Sequence, residues 1–441
     1  MRMRGLLIAT VVLAALAGGI WWSNKAEKER AAKPAADAPP KILDMPEDQL
    51  QKVEIRKAAG ETTVLEKKAG KWEITAPKPL PADQETMNSV VSSLASLASD
   101  RVVEEKATDL SSYGLTKPSM EVVVTQKDGK SRQVLIGDET PTGNGFFAGL
   151  QGDPRVFTIA SYSKTSIDKN SNDLRDKRLL TFDSDKLTRV DLDAKGQSVE
   201  FGKNNQNEWQ ILKPKPLRAD GGLVEELIRK LKDAKMDLTA SPEDLKKAAA
   251  AFASGTQVAV AKVTDAAGTQ QLQVRRDKDK NYYAKSTAVE GIYKLGSDAG
   301  DGLDKGLDDF RNKKVFDFGW NDPTKLEVRD GAKQAVYQKS GEKWMAAGKQ
   351  MDSTSIQTLI DKLRDLSAAK FPETGFAAPA LEFTVTSNDG KRVEKVAIAK
   401  SGSEWIARRE NESSLYQLDA KVVEEIQKAV AGMKEAAPAK K

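Results

Sequence analysis

The 441-residue sequence contains no cysteine and no histidine. The first absence excludes disulfides, thiolate metal sites and thiol nucleophiles. The second removes imidazole acid–base chemistry and every histidine-dependent triad, and with both gone zinc and haem lack their usual ligands. Paired carboxylates and a Ser–Lys dyad are the catalytic chemistries left, and no cofactor is expected. Aromatic residues are sparse at 6%. Charge of one sign is also lacking: 70 basic residues face 65 acidic ones, interspersed along the chain, for a net +5. Without a basic stripe, nucleic acid is not an expected partner. What is present, 39% hydrophobic and 31% charged residues, describes folded, well-solvated sequence. The length suggests about three domains.

Long apolar runs occur once. Behind "MRMR" stands "GLLIATVVLAALAGGIWW", from Gly5 to Trp22, without a charge. As a helix it spans about 27 Å, close to the roughly 30 Å hydrocarbon core. Trp21 and Trp22 stand where an interfacial aromatic belt belongs. Arg2 and Arg4 give the undiluted positive flank, which predicts a cytoplasmic N-terminus (1–4), a retained anchor (5–23) and the bulk of the chain outside the cytoplasmic membrane. A cleaved signal peptide is the rival, but the run is long for one and ends in bulky tryptophan. Residues 24–44, rich in Ala, Pro, Lys and Glu, read as a flexible linker.

A phrase is then written twice: "WEITAPKPLPAD" from Trp72 to Asp83, and "WQILKPKPLRAD" from Trp209 to Asp220, identical at eight of twelve positions. A looser third copy, "WMAAGKQMD", runs from Trp344 to Asp352. Each follows two short alternating stretches, so the tryptophan falls in a third strand. Each precedes an amphipathic helix, marked by Met87, Val90, Val91 and Leu94, by Leu223, Leu227, Ile228 and Leu231, and by Ile356, Leu359, Ile360 and Leu363. Four strand-like runs and a closing helix follow, clearest in "DAKVVEEIQKAVAGM".

The expectation is an α+β chain of three tandem repeats of about 135 residues, each with antiparallel sheets and two helices. The boundaries are 45–185, 186–321 and 322–434, with a disordered tail at 435–441.

Within the phrase, Trp72, Trp209 and Trp344 alternate with polar neighbours as core residues do, while Asp83, Asp220 and Asp352 stand at helix N-caps. The "PKPL" segment predicts an extended crossing without regular sheet pairing. The third copy drops both prolines yet keeps the tryptophan and the aspartate. A chemical site would lose its function under that change, so the phrase reads as a structural joint. Other motifs are weaker. "DKDKN" (277–281) has Tyr282 where an EF-hand requires Gly, and "GDGLDKG" (300–306) has the wrong glycine spacing for a dinucleotide loop. "SYSK" (161–164) opens a polar helix, a poor setting for a dyad. Phe146, Phe147, Tyr282, Tyr283 and Trp405 fall on corresponding strands and are the candidates for ligand-facing aromatics.

The stretch "YGLTKPSMEVVVTQKDGKSRQVLIGDETPTGNGFFAGLQGDPRVFTI", followed by "LRDKRLLTFD", resembles a bacterial family known as domain of unknown function 4340. The resemblance is carried by Tyr113, Gly114, Leu115 and Pro118, by Ile136, Gly137, Thr140 and Pro141, and by Leu174, Arg175, Asp176 and Lys177. It covers roughly residues 50–185 and fades through the later copies, where "FRNKKVFDF" echoes "LRDKRLLTF". The resemblance implies a membrane-anchored envelope protein, accessory to a gliding-type ABC transporter, and supplies no catalytic, cofactor or metal residues. The leading expectation is thus a non-catalytic, periplasmic, single-pass scaffold with a protein partner in the envelope, for which the resemblance implies ABC transporter subunits. A glycan- or peptide-binding module using the aromatics is the alternative, and a carboxylate hydrolase a distant third.

Overall fold

The computed structural model of the chain describes residues 40–319 and 323–437. The anchor expected at 5–23 lies outside the described residues, as do most of the linker read at 24–44 and residues 438–441 of the tail. Among the described residues, no helix is long and apolar enough to cross a membrane. The chain divides into two compact units, residues 1–177 and 178–441. The architecture is α+β, with helices packed on antiparallel sheets.

The first unit is built on one sheet. Across it the strands run Leu80–Pro81, Lys71–Ala76, Thr63–Lys68, Leu50–Lys57, Met120–Gln126, Ser131–Glu139, Gly145–Leu150, Val156–Ala160 and Arg101–Glu104. Alternation dictates its faces: Met120, Val122 and Val124 point into the core, while Glu121, Val123 and Thr125 point away. Register sets Val53 against Val124 and Ile55 against Val122, giving a continuous apolar surface. Helix Gln84–Ala95 lays Met87, Val90, Val91 and Leu94 on it. Each such side chain contributes about 1.5–3 kcal/mol by leaving water.

The second unit holds two sheets. The first of these, called the second sheet, runs Leu217–Arg218, Trp209–Lys213, Gln197–Lys203, Arg189–Ala194, Thr256–Asp265, Gly268–Arg276, Tyr282–Ser286 and Ile292–Leu295. The third sheet runs Lys349–Gln350, Lys343–Ala346, Lys333–Ser340, Lys325–Asp330, Pro379–Ser387, Arg392–Ser401, Glu404–Arg409 and Leu415–Leu418. Their principal helices, Gly221–Asp233 and Ser353–Arg364, bury Val224, Leu227, Ile228 and Leu231, and Ile356, Leu359, Ile360 and Leu363.

Backbone bonds at both ends of each sheet repeat as well. A lead-in segment enters beneath the principal helix: Ile42 N donates to Leu97 O at 2.8 Å, Leu179 N to Ala234 O at 2.8 Å, and Val315 N to Leu366 O at 2.9 Å. An outgoing segment closes the short edge strand: Asp83 N donates to Leu174 O at 2.8 Å, Asp220 N to Phe310 O at 2.8 Å, and Asp352 N to Lys434 O at 2.9 Å. Ile42 and Leu43, read from sequence as linker, are therefore buried core residues. Glu435, read as tail, pairs with Met351.

Three further differences from the sequence reading have local causes. The proline phrase does pair: Leu80 and Pro81 fold back on Ile74 and Glu73, and Leu217 and Arg218 on Ile211 and Gln210. A two-residue edge strand needs few N–H donors, so proline is admissible there. In the third sheet Ala347 and Gly348, at φ 48 and 77, make the same return in a tight turn. The closing helix is split in two after the first two sheets (Ser161–Ile167 with Ser171–Leu174, Ser297–Leu303 with Leu307–Phe310) and continuous only at Ala420–Ala431. Helix Pro242–Ser254, started by a Ser241–Asp244 capping box, was not expected at all.

The faces away from the principal helices are covered in three different ways. On the first sheet the segment through Val103, Ala107, Tyr113 and Leu115 packs on Leu135, Phe147 and Val156. On the second, Arg275 stacks on Phe252 of helix Pro242–Ser254, 5.1 Å from the ring centroid. On the third, Arg408 covers Phe376 at 4.3 Å.

Candidate functional site

Trp72, Trp209 and Trp344 are buried, one in the core of each sheet. Gln84 grips the first from the helix start: Trp72 N donates to Gln84 Oε1 and Gln84 Nε2 to Trp72 O, both at 2.9 Å. The Trp209 indole N–H donates instead to Glu225. Asp83 accepts from Thr86 N at 2.8 Å, Asp220 from Leu223 N at 3.2 Å, and Asp352 from Ser355 N at 2.7 Å. All six recurrent side chains are occupied with their own fold.

The candidate ligand-facing aromatics do not gather. Tyr282 is 3% exposed and Trp405 8%, each inside its sheet's core rather than on a ligand-facing surface. The Tyr282 hydroxyl donates to Asp301, and the Tyr283 hydroxyl to Asp277 at 3.2 Å. Phe146 and Phe147 are half-buried neighbours on opposite faces of one strand. Lys164 sits 4.2 Å above the first ring, and Tyr113 meets the second edge-on at 4.9 Å. Phe146 thus joins the principal core, while Phe147 joins the cluster on the far side.

The residues that carry the family resemblance have a packing explanation. Gly114 turns the chain at φ 68, and Leu115 drives into the far-side cluster. Gly137 passes so close beneath that a Cβ there would lie 2.0 Å from Tyr113 O. Only glycine fits the crossing. "YGL" and "IG" are therefore two halves of one clip.

The densest polar constellation lies in the second unit, where the second and third sheets meet. Asp317, on the lead-in segment of the third sheet, sits among cations. Arg218 Nη2 reaches its carboxylate at 3.1 Å, Arg409 Nη2 at 3.4 Å, and Asn312 Nδ2 donates to it at 3.2 Å. Arg392 Nη1 donates to the Asp317 carbonyl at 2.6 Å. Arg409 also meets Glu412 at 2.6 Å and the buried Glu394 at 3.2 Å. The Tyr416 hydroxyl donates to Glu412 at 2.7 Å, and burial pushes that phenol well above its ordinary range. Arg218, Asp317 and Arg392 line a cleft of about 530 Å³ together with Trp209, Glu225 and Asn312. The chemistry on offer is ionic pairing and hydrogen bonding. Among the described residues, no group of three or more acidic side chains is placed to hold a metal.

Sequence reading passed over this constellation, although its traces were in the quoted phrases. Arg218 stands where the first copy has Pro81, and Asp317 where "LRDKRLLTF" has Thr181. Ser161 and Lys164 of "SYSK" lie on the short helix Ser161–Ile167, with Lys164 committed to Phe146 and Asp168. "DKDKN" is a turn in which Asp277 accepts from the backbone of Asp279 and Asn281.

No curated protein was found to match the chain. A protein-family model matches it twice, over residues 72–250 and 209–382, and its description is "Domain of unknown function (DUF4340)". The two matches begin on Trp72 and Trp209.

Proposed function

The chain belongs to this family of unknown function, and from that premise we propose that it is a non-catalytic scaffold of the cell envelope. One module of about 135 residues, duplicated in tandem, is presented three times outside the cytoplasmic membrane from a single N-terminal anchor. Its partner is a membrane protein complex of the ABC transporter type. The observation that carries this reading is the inward use of the recurrent residues. Three tryptophans are core and three aspartates are caps, so what the copies share is shape. The identical strand order of the eight common strands favours duplication. The anchor and its orientation rest on Arg2, Arg4 and the apolar run to Trp22.

Crosslinking of native membranes followed by mass spectrometry tests the partner. Recovery of the same membrane subunits in independent preparations is expected, and recovery of the protein alone would overturn the scaffold role. Topology is tested separately, using the absence of native cysteine. Asp389→Cys, in an exposed turn, should react with a membrane-impermeant maleimide in cells whose outer membrane has been opened. Labelling only after lysis would refute the orientation.

A further inference from the structure

Each sheet in the second unit ties down its own lead-in segment, and it does so with different chemistry. In the second sheet the ties are neutral: Ser286 Oγ donates to Leu179 O, and Thr181 N donates to Gln270 Oε1 at 2.8 Å. Strand register makes Ser286 equivalent to Arg409, since they oppose Leu272 and Val396. It likewise makes Gln270 equivalent to Glu394, opposite Val263 and Val385. In the third sheet, accordingly, Arg409 donates to Val315 O, and Asp317 N to Glu394 Oε1 at 2.8 Å.

A neutral set therefore suffices for holding a lead-in segment. Buried ion pairs offer no general gain in stability over neutral packing, so the charges require another reason. That reason arrives from the preceding sheet. Arg218, on the short edge strand of the second sheet and 14% exposed, reaches Lys314 O at 2.6 Å, Asp317 at 3.1 Å and Glu412 at 3.8 Å. Pro81 occupies the corresponding edge strand of the first sheet and has no donor to offer.

A second arginine makes the same crossing. Arg311, which closes the edge of the second sheet opposite Ala219, is 6% exposed. Its guanidinium lies 3.6 Å from the ring centroid of Phe371, and its Nη2 donates to Ser414 at 3.0 Å. Phe371 in turn meets Tyr416 edge-on, with ring centroids 5.6 Å apart. A planar, permanently charged guanidinium suits both jobs, reaching several acceptors from one side chain and lying over a ring, as lysine would not.

We propose that Arg218 and Arg311 form a two-point clamp that makes the second and third sheets move as one rigid body, a fixed double module rather than two beads on a string. The clamp stands independently of the scaffold role. Neither guanidinium is a member of a hydrophobic core, although Arg311 rests on Phe371, which meets Tyr416 at the margin of the third.

The test uses the full chain with Lys278→Cys, in an exposed turn of the second sheet, and Lys333→Cys, at the exposed start of a strand of the third, spin-labelled without competing thiols. Pulsed electron resonance should give one narrow distance distribution in the parent and a broad one in R218A/R311A, with far-UV circular dichroism unchanged. Hydrogen exchange of the same variant should show one sheet exchanging about tenfold faster while the other keeps its parent rates, a decoupling of about 1.4 kcal/mol. A broad distribution in the parent would overturn the clamp without recourse to any variant. So would a distribution in R218A/R311A as narrow as the parent's. Loss of secondary structure in that variant would also overturn it, because the two arginines would then be holding a fold and not a junction.

Discussion

Replacement of Asp352 separates a structural cap from a chemical site. The helix it opens, Ser353–Arg364, carries Ile356, Leu359, Ile360 and Leu363 into the third core, so its first turn matters to the sheet beneath. The carboxylate accepts from Ser355 N at 2.7 Å, and Ser355 Oγ donates back to Asp352 O at 2.8 Å. D352A removes the first bond and leaves an orphan donor, at a cost of about 1 kcal/mol within a range of roughly 0.5–2. The negative charge at the helix N-terminus adds about 0.3–1 kcal/mol. D352N keeps an acceptor of equal capping quality and loses only that charge contribution.

The assay is hydrogen exchange of the amides from Ile356 to Leu363 in the intact chain at neutral pH. D352A should accelerate them about fivefold to thirtyfold, whereas D352N, which loses only the charge contribution, should accelerate them about twofold to fivefold and always less than D352A. If D352N were as damaging as D352A, the carboxylate would be needed for its charge and the cap reading would fail. Unchanged exchange in D352A would fail it equally.

Trp209→Ala should cost about 3–5 kcal/mol, because a 5% exposed indole and its bond to Glu225 are both lost; urea denaturation followed by circular dichroism measures it. Trp209→Phe should cost distinctly less. Gly137→Ala places a methyl 2.0 Å from Tyr113 O and should cost about 1–3 kcal/mol, read as faster proteolysis between residues 105 and 118. Tyr416 is held protonated in the fold by burial, while its unfolded counterpart ionises near pH 10. A raised folded pKa contributes stability that is complete below that pH and declines above it, as the unfolded phenol ionises first. The stability of Y416F should therefore fall less steeply than the parent's between about pH 10 and 11.5; an identical decline would refute the burial effect.

Much of the fold was legible because its strongest signals are local. The alternation in "MEVVVTQ" and "ALEFTVTS" and the helical spacing from Ile356 to Leu363 fix which side of each element meets the core, and the sheets follow from it. The faces away from the principal helices were illegible. Tyr113–Leu115, Phe252 and Phe376 come from segments with no shared pattern, each solving the same covering problem with different residues. The helix Pro242–Ser254 belongs to that class, although "SPED" is a fair helix-start signal.

The junction was hidden for another reason. Arg218, Asp317 and the neighbouring pair Arg409 and Glu412 lie far apart in the chain, and charges along a sequence look solvated until the fold brings them together. Exposed-looking rings misled in the opposite sense. Tyr282 and Trp405 each begin the inward phase of a strand, a distinction of one residue in register.

The bond from Asp352 N to Lys434 O has a bearing on how the protein is made. A ribosome delivers the tryptophan strand and the edge strand of the third sheet some eighty residues before the segment that seals them. Until Lys434 and Ala436 emerge from the exit tunnel, the Gln350 carbonyl and the Asp352 amide stand without the backbone partners that seal them. The same delay recurs at Leu174 and Phe310, so nascent chains should pass through three windows of vulnerability to chaperone capture, each closed by the last residues of its own sheet.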